Sequence, residues 1–387
     1  MKILHTSDWH LGHTLYGYDR TKEQMSMLNQ IKEIIKNEKP DAMVLSGDVY
    51  HTSQPSATVQ RMFSDAIVAM CNACPTMTVV MTAGNHDSGT RHEAYHSLWR
   101  ELNVYVIGNI SRENPDNHII EVPGKGWVVA VPYAYERNIP DGFFQDLLAI
   151  VGERNTDDLP VVMMAHTTVE GCNFTGHDMT GQKTIGGVDA VAHDYFGDGY
   201  DYLALGHIHK AQFIHNTEHR MRYSGTPMAV SFDEEYDHSV SLVEIDSRGA
   251  TPRVTEKSIV NPRPLVSLPP EDATTWEEAK QLLKDFPNDK PAYIRLNVEV
   301  KDFLPAGANE EAHAITSNKE CLFCHINTLR PERERKQGEA LTVQELQEIA
   351  PIEIARRYIT NLHVEFDEDM EAMFNEALEA INQDDNK

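Results

Sequence analysis

The sequence predicts an α/β fold, and three observations predict it. Short apolar runs rich in β-branched residues alternate with helical patterns up to about residue 260. Each of several such runs ends in a polar, glycine-containing cluster. Beyond a proline-rich break the alternation gives way to a smaller βα segment and then to amphipathic helices.

In order along the chain, residues 2–6, 42–46, 78–82, 161–165 and 202–205 are expected as strands. Residues 23–37 are expected as a helix, because Met25, Leu28, Ile31, Ile34 and Ile35 recur at helical spacing. In residues 57–72 the apolar positions Val59, Met62, Phe63, Ala66, Ile67, Val68 and Met70 cover more than one face. Such a helix needs two partners. One is the sheet. The other is either a second subunit, met together with a helix near residues 94–102, or the rest of its own fold.

Composition shifts at Asn261-Pro262-Arg263-Pro264 and again at Pro269-Pro270, which places a linker there. Three divisions follow: 1–262, 264–338 and 340–387. The middle one carries a helix near 275–286 and strands near 292–300 and 320–330, then a basic connector with Arg330, Arg333, Arg335 and Lys336. The last one carries a helix near 343–359, interrupted at Pro351. A second helix, capped by Asp367, has Met370, Met373, Phe374, Ala377, Leu378 and Ile381 on one face.

The 34 basic and 60 acidic residues leave a net charge of −26. That argues against a chain that grips nucleic acid unaided, since such binding needs a basic footprint. No apolar run approaches the roughly 20 residues of a membrane span. The start of the chain has the pattern of a core strand and not of a signal peptide, so a cytoplasmic location is expected. Two CxxC pairs, Cys71/Cys74 and Cys321/Cys324, lie too far apart in sequence for a zinc ribbon or finger, and Cys172 stands alone. The cysteines are expected as reduced thiols, with Cys71 and Cys74 packed at a helix end.

Chemistry concentrates in five clusters that close apolar strands: Asp8-Trp9-His10, Gly47-Asp48, Gly84-Asn85-His86-Asp87, His166 and Gly206-His207-Ile208-His209. In open α/β sheets ligands sit beyond the carboxyl ends of strands, so all five point to one crevice. In an extended segment, Asp8 and His10, like His207 and His209, place both side chains on one side. The mixed oxygen and nitrogen donors suit manganese, iron or zinc better than calcium or magnesium. Two such ions about 3.5–4 Å apart stabilise both oxygens of an in-line displacement at phosphorus. Asp48 has the two oxygens that a bridging ligand needs. His86, with Asp87 adjacent to orient it, fits the group that stabilises developing charge or protonates the leaving oxygen. Taken singly, each motif is ordinary. The complete ordered set is not.

At these residues the sequence resembles the calcineurin-like metallophosphoesterases, with their pattern DxH…GD…GNH[DE]…H…GHxH. More narrowly it is similar to the SbcD-type nuclease subunits of SbcC–SbcD DNA-repair complexes, over nearly the whole chain. His5-Thr6-Ser7-Asp8-Trp9-His10-Leu11-Gly12, Tyr223-Ser224-Gly225-Thr226-Pro227 and Ser231-Phe232-Asp233-Glu234 carry that narrower likeness. The resemblance implies a metallophosphoesterase core of two β-sheets flanked by helices, a small α+β capping domain and a C-terminal helical segment. It implies one metal on Asp8, His10, Asp48 and His209, and a second on Asp48, Asn85, His166 and His207. His86 would contact the scissile phosphate, with Asp87 behind it. Two manganese ions are the usual activators, with magnesium or other divalent ions as alternatives.

The implied partners are an SbcC-type ATPase bound through its coiled coil, DNA as duplex ends, hairpins and single strands, and a second nuclease subunit in a heterotetramer. His51 stands where many relatives carry aspartate. It either helps place the DNA strand or has no ligand role. The competing enzyme reading is a phosphomonoesterase or protein phosphatase on the same metal core. The aspartate-arginine-glycine turn usual in protein phosphatases is absent after Gly47-Asp48. A non-catalytic scaffold would lack ligands, and none is missing. The faces near Leu346/Ile349 and Phe374/Leu378 are either partner surface or packing for their own domain.

Overall fold

Strands buried on both faces are mostly apolar, and the central strands of this protein are built that way, with Ile3 and Leu4, residues 42–45 and residues 79–81 all buried. The structure, a computed structural model, describes residues 1–175, 190–300 and 303–329, together with Met370 and Phe374. One six-stranded sheet runs, edge to edge, through Arg253–Ser258, Ser239–Glu244, Lys2–Thr6, Ala42–Ser46, Thr78–Thr82 and Val104–Ile107. The other runs through Gln212–Phe213, Met221–Tyr223, Tyr202–Gly206, Val161–His166, Gly126–Ala130 and Ile119–Val122.

Period-two alternation divides each strand between two cores. Ile3, Val44, Val80, Val128, Val162 and Ala204 fill the space between the sheets. Leu4, Met43, Leu45 and Met81 face outward, against the helices Thr21–Glu38 and Ala57–Ala73. The second sheet is covered on its outer side by Phe143–Arg154. The result is the layered core of two sheets flanked by helices that the resemblance implies.

The five predicted strands are present, two of them one residue longer: Val161–His166 and Tyr202–Gly206. The stripe of the first helix differs. Gln24, Met27, Leu28, Ile31 and Ile35 are buried, while Met25 is 50% exposed. Gln24 takes a core-facing turn because its amide binds main chain: it accepts from Gly12 N (3.1 Å) and donates to the carbonyls of His10 and His13. The helix near 94–102 is instead two short ones, Gly89–Glu93 and His96–Arg100.

Residues Met1–Leu329 form one compact unit. Within it, Leu265–Leu268, Tyr293–Glu299 and Leu322–Leu329 make a parallel three-stranded sheet. The helix Trp276–Asp285, started by a capping box of Thr275 and Glu278, and the helix Ala308–Thr316 share a core with it. A second, smaller cluster joins this sheet to the main core through Tyr293, Leu15 and Phe232. All five cysteines are free. Cys71 and Cys74 pack in the core of the first sheet and Cys321 in that of the small sheet, so the CxxC pairs do not converge. The helices expected from residue 343 onward lie outside the described residues, except that Met370 and Phe374 are helical. Among the described residues no helix is long and apolar enough to cross a membrane.

Candidate metal centre

The polar clusters do meet beyond the carboxyl ends of their strands. The loops after Lys2–Thr6 and Ala42–Ser46 are locked in parallel: Asp8 N donates to Gly47 O, His10 N to Asp48 O and Leu11 N to Val49 O, each at 3.0 Å. Neither DxH nor GD is extended. Asp8 (φ 54°), His10 (φ 43°), Asp48 (φ 49°) and His207 (φ 98°) all occupy the left-handed region. Such conformations cost of order 1–3 kcal/mol each and persist only where the surroundings over-determine them. The kink, and not a strand's alternation, turns Trp9 into the core, where its indole donates to Thr6 Oγ1 (2.8 Å). Gly84 is required sterically, since a Cβ there would lie 2.1 Å from Asp48 Oδ1.

Asp8, His10, Asp48, His166, His207 and His209 are all buried, while Asn85 is exposed and His86 half-buried at the rim. On one side, His10 Nε2 faces His209 Nε2 at 3.2 Å, and donor atoms of Asp8, His10 and His209 lie within 4.8 Å of one another. On the other, Asn85 Oδ1 is 3.0 Å from both His166 Nε2 and His207 Nδ1. Asp48 Oδ2 lies between the two sets, 3.8 Å from His10 Nε2 and 3.4 Å from His166 Nε2. Donors of Asp8, Asp48 and His166 also group within 4.8 Å, as do those of His10, His51 and His86.

The distal nitrogens set the tautomers. His166 Nδ1 donates to Ser46 O (2.8 Å) and His209 Nδ1 to Glu234 Oε1 (3.0 Å), so each presents Nε2 inward. That is the orientation a metal-binding imidazole requires. Burial forces the Asp8 carboxyl above its ordinary range and the His10 imidazole well below its own. Burial pulls His166 down too, but Asp48, Asp8 and the Ser46 carbonyl outweigh it and lift the pKa to about 9. Among the described residues the ion-pair partners of Asp48 are His10 and His166. Two buried carboxylates set among imidazole nitrogens form a mixed oxygen and nitrogen donor set that fits divalent cations.

His86 sits beside this centre. Its Nδ1 donates to the His51 carbonyl (2.9 Å), and the His51 ring stacks on it with centroids 5.6 Å apart. Asp87 does not orient His86 through its carboxylate. It accepts from Gly84 N (2.9 Å), Tyr50 N (3.0 Å) and Val49 N (3.1 Å), and His92 Nε2 lies 3.2 Å away. It therefore ties the loop bearing Asn85 and His86 to the loop bearing Asp48.

Residues 1–211 match the calcineurin-like phosphoesterase family. Residues 261–362 match the type 5 capsule protein repressor C-terminal domain. The SbcD component of the SbcCD nuclease of Rhodobacter capsulatus is 34% identical over 299 residues, covering 70% of this chain and 72% of that protein. The chain is a calcineurin-like phosphoesterase of the SbcD family. The SbcD protein of Bacillus subtilis is 31% identical over 360 residues, covering 87% of each chain. That of Escherichia coli K12 is 27% identical over 380 residues, covering 90% of this chain and 91% of that one.

In this SbcD-type chain, the roles of Gln24 and Glu234 carry no signal in the sequence. Gln24 holds the main chain around His10 from a helix interior, and Glu234 holds His209 from a distant loop. The segment 231–234 carried the family likeness, but nothing local in it signals contact with His209.

Proposed function

We propose that this chain is the manganese-dependent nuclease component of an SbcC–SbcD-type complex, hydrolysing DNA phosphodiester bonds with two metal ions. The proposed activities are ATP-dependent 3′-to-5′ exonuclease action on duplex ends and endonuclease action on single strands and hairpins, in double-strand break repair and recombination. The observation carrying this reading is the position of Asp48 between two sets of buried donors, in a chain whose relatives are named as parts of a nuclease.

Asp8, His10, Asp48 and His209 would hold one ion, and Asp48, Asn85, His166 and His207 the other. Bound cations of this kind supply Lewis acidity at the phosphoryl oxygens and a nucleophile at neutral pH. His86, with Nδ1 fixed by the His51 carbonyl, keeps Nε2 for the scissile phosphate, to steady developing charge or pass a proton to the leaving oxygen. Asp87 keeps His86 in register with Asp48 by holding the two loops together. His51, stacked on His86, helps place the DNA strand.

Residues 1–262 would be the nuclease domain, 264–338 a capping domain that contacts DNA, and 340–387 the segment that binds the ATPase coiled coil. Two nuclease chains would pair through Ala57–Ala73 and the two short helices after it, where Val68, Tyr95 and Leu98 face outward. The pair would sit in a heterotetramer, in the cytoplasm at the nucleoid. The −26 charge then has a division of labour behind it: the ATPase makes most phosphate contacts, and the cations attract the backbone at the cleavage point.

The deciding experiment supplies manganese and compares linear duplex DNA with a chromogenic phosphate ester, with and without the ATPase and ATP. Degradation of DNA that increases with ATPase and ATP is expected. Rapid ester cleavage with DNA untouched would establish the phosphomonoesterase instead.

A further inference from the structure

One loop of the main core is held from both sides. In residues 232–235 the side chains alternate: Phe232 and Glu234 are buried, Asp233 and Glu235 exposed. Inward, the Glu234 carboxylate is fully enclosed. One oxygen accepts from His209 Nδ1 (3.0 Å) and the other from Thr226 Oγ1 (3.2 Å). Outward, Asp233 and Glu235 are both gripped by Arg295 of the small sheet, at 2.6 and 3.2 Å. The Arg295 guanidinium also lies over the Phe232 ring, 5.3 Å from its centroid, and its Nε donates to Ser267 Oγ. Arg295 itself is 8% exposed, so its position is set by packing.

We infer that Glu234 is the positioning residue for His209, and that Arg295 positions Glu234, so that the small sheet sets the geometry of one of the two metal sites. The physical reason is the imidazole's two nitrogens. A carboxylate on Nδ1–H fixes both the tautomer and the ring plane and raises the basicity of Nε2. A carboxylate so enclosed keeps its aim only if its loop cannot slide. The two-pronged hold of Arg295 on the residues on either side prevents that sliding. A load on the small sheet, such as a bound macromolecule, would then reach the metal centre through four consecutive residues and one guanidinium.

This inference rests on His209 being a metal ligand, and the test separates the two ideas. Mn2+ alone is titrated into the full chain, following free Mn2+ by electron paramagnetic resonance and heat by calorimetry. His209→Gln is expected to weaken one site and spare the other. Glu234→Gln, of nearly the same shape, is expected to weaken that same site by about 10–100-fold, with the melting temperature of the metal-free protein unchanged. Arg295→Met should produce a smaller loss at that site, Arg295→Lys should restore part of it, and Arg295→Met added to Glu234→Gln should cost almost nothing further.

If His209→Gln binds both ions as the parent does, the ligand assignment fails. If His209→Gln loses one ion while Glu234→Gln loses none, the positioning role alone fails. Equal weakening of both sites with a lowered melting temperature in Glu234→Gln would make the residue merely structural. Full additivity of the Arg295 and Glu234 effects would break the link between them.

Discussion

His86 is anchored to His51 through the main chain, its Nδ1 donating to the His51 carbonyl at 2.9 Å while the two rings stack. The carbonyl can only accept, so Nδ1 carries a proton and Nε2 is the nitrogen left for chemistry. His86 N also donates to Asp48 Oδ1 (2.9 Å), which sets the ring's root on the residue between the two donor sets. His86→Gln should therefore lower DNA hydrolysis by about 10²–10⁴-fold, the usual range for a positioned proton-transfer group, while Mn2+ affinity stays within a few-fold of the parent. Parallel rate and binding measurements check this. Loss of metal binding in step with activity would place His86 among the ligands.

Asp87 leads to a different expectation, because its carboxylate serves main-chain amides of Gly84, Val49 and Tyr50. Asp87→Ala leaves those donors without their acceptor, at a cost of about 1–3 kcal/mol for the buried ones. Urea unfolding of the metal-free chain should show that loss, and Mn2+ affinity should fall with it as the loops separate. An Asp87→Ala protein with parental stability but no hydrolysis would instead mean that the carboxylate acts on the chemistry.

The contrast between these neighbours shows what a sequence discloses. The strands Lys2–Thr6, Ala42–Ser46 and Thr78–Thr82 were legible to the residue, because burial on both faces leaves a mainly apolar run that gives way to polar residues. The meeting of the polar clusters was legible because each lies at the end of such a run. What adjacency in sequence suggested for Asp87 and His86 did not hold, since side chains of neighbours diverge in a tight loop. Met25 was misplaced because a polar residue, Gln24, holds a core-facing position for its hydrogen bonds. Glu234 and Arg295 act across 25 and 62 residues respectively, and no local periodicity encodes a contact of that span. The left-handed backbone at Asp8, His10 and Asp48 was hidden for the same reason: non-glycine residues adopt it only under tertiary constraint.

Gly84 separates sterics from conformational freedom. An added methyl would sit 2.1 Å from Asp48 Oδ1 and 2.3 Å from Asp48 N. Gly84→Ala should therefore displace Asp48, lowering Mn2+ affinity at both sites and destabilising the fold by about 1–3 kcal/mol. Gly152, inside the helix Phe143–Arg154 with nothing within 4 Å of a Cβ, is the control. Gly152→Ala should gain about 0.5–1 kcal/mol and bind metal normally. Thermal melts and metal titration of the two variants test the contrast.

Pairing of two nuclease chains can be tested on the exposed apolar residues beside Ala57–Ala73. Leu98 is 69% exposed and Tyr95 62%, so a charge there disturbs no core. Leu98→Glu should convert a dimer into a monomer in light scattering, with the melting temperature of the monomer unit and its Mn2+ affinity retained. A variant that remains dimeric would move the pairing surface elsewhere.

Acid sensitivity follows from two histidines held neutral away from the metal centre. His118 is fully buried; its Nδ1 donates to Ala130 O (2.7 Å) and its Nε2 accepts from Ser111 N (2.9 Å). Burial lowers its pKa below 6.5, against the opposing pull of the Ala130 carbonyl. His5, bonded to Tyr202 Oη, is lowered to about 3 by burial and then by Arg222. In both cases the unfolded chain takes up a proton near pH 6.5 that the folded chain refuses. Stability from this source is complete above pH 6.5 and declines as pH falls from there toward each folded pKa. Each group adds at most about 1.4 kcal/mol per pH unit to the slope, reached where the unfolded imidazole is protonated and the folded one is not. His118→Gln cannot be charged, so the metal-free variant should lose stability less steeply as pH falls below 6.5, whatever its offset at neutral pH. Identical slopes for the two proteins would mean that His118 takes up its proton in the folded state and that its hydrogen bonds are not those of a neutral ring.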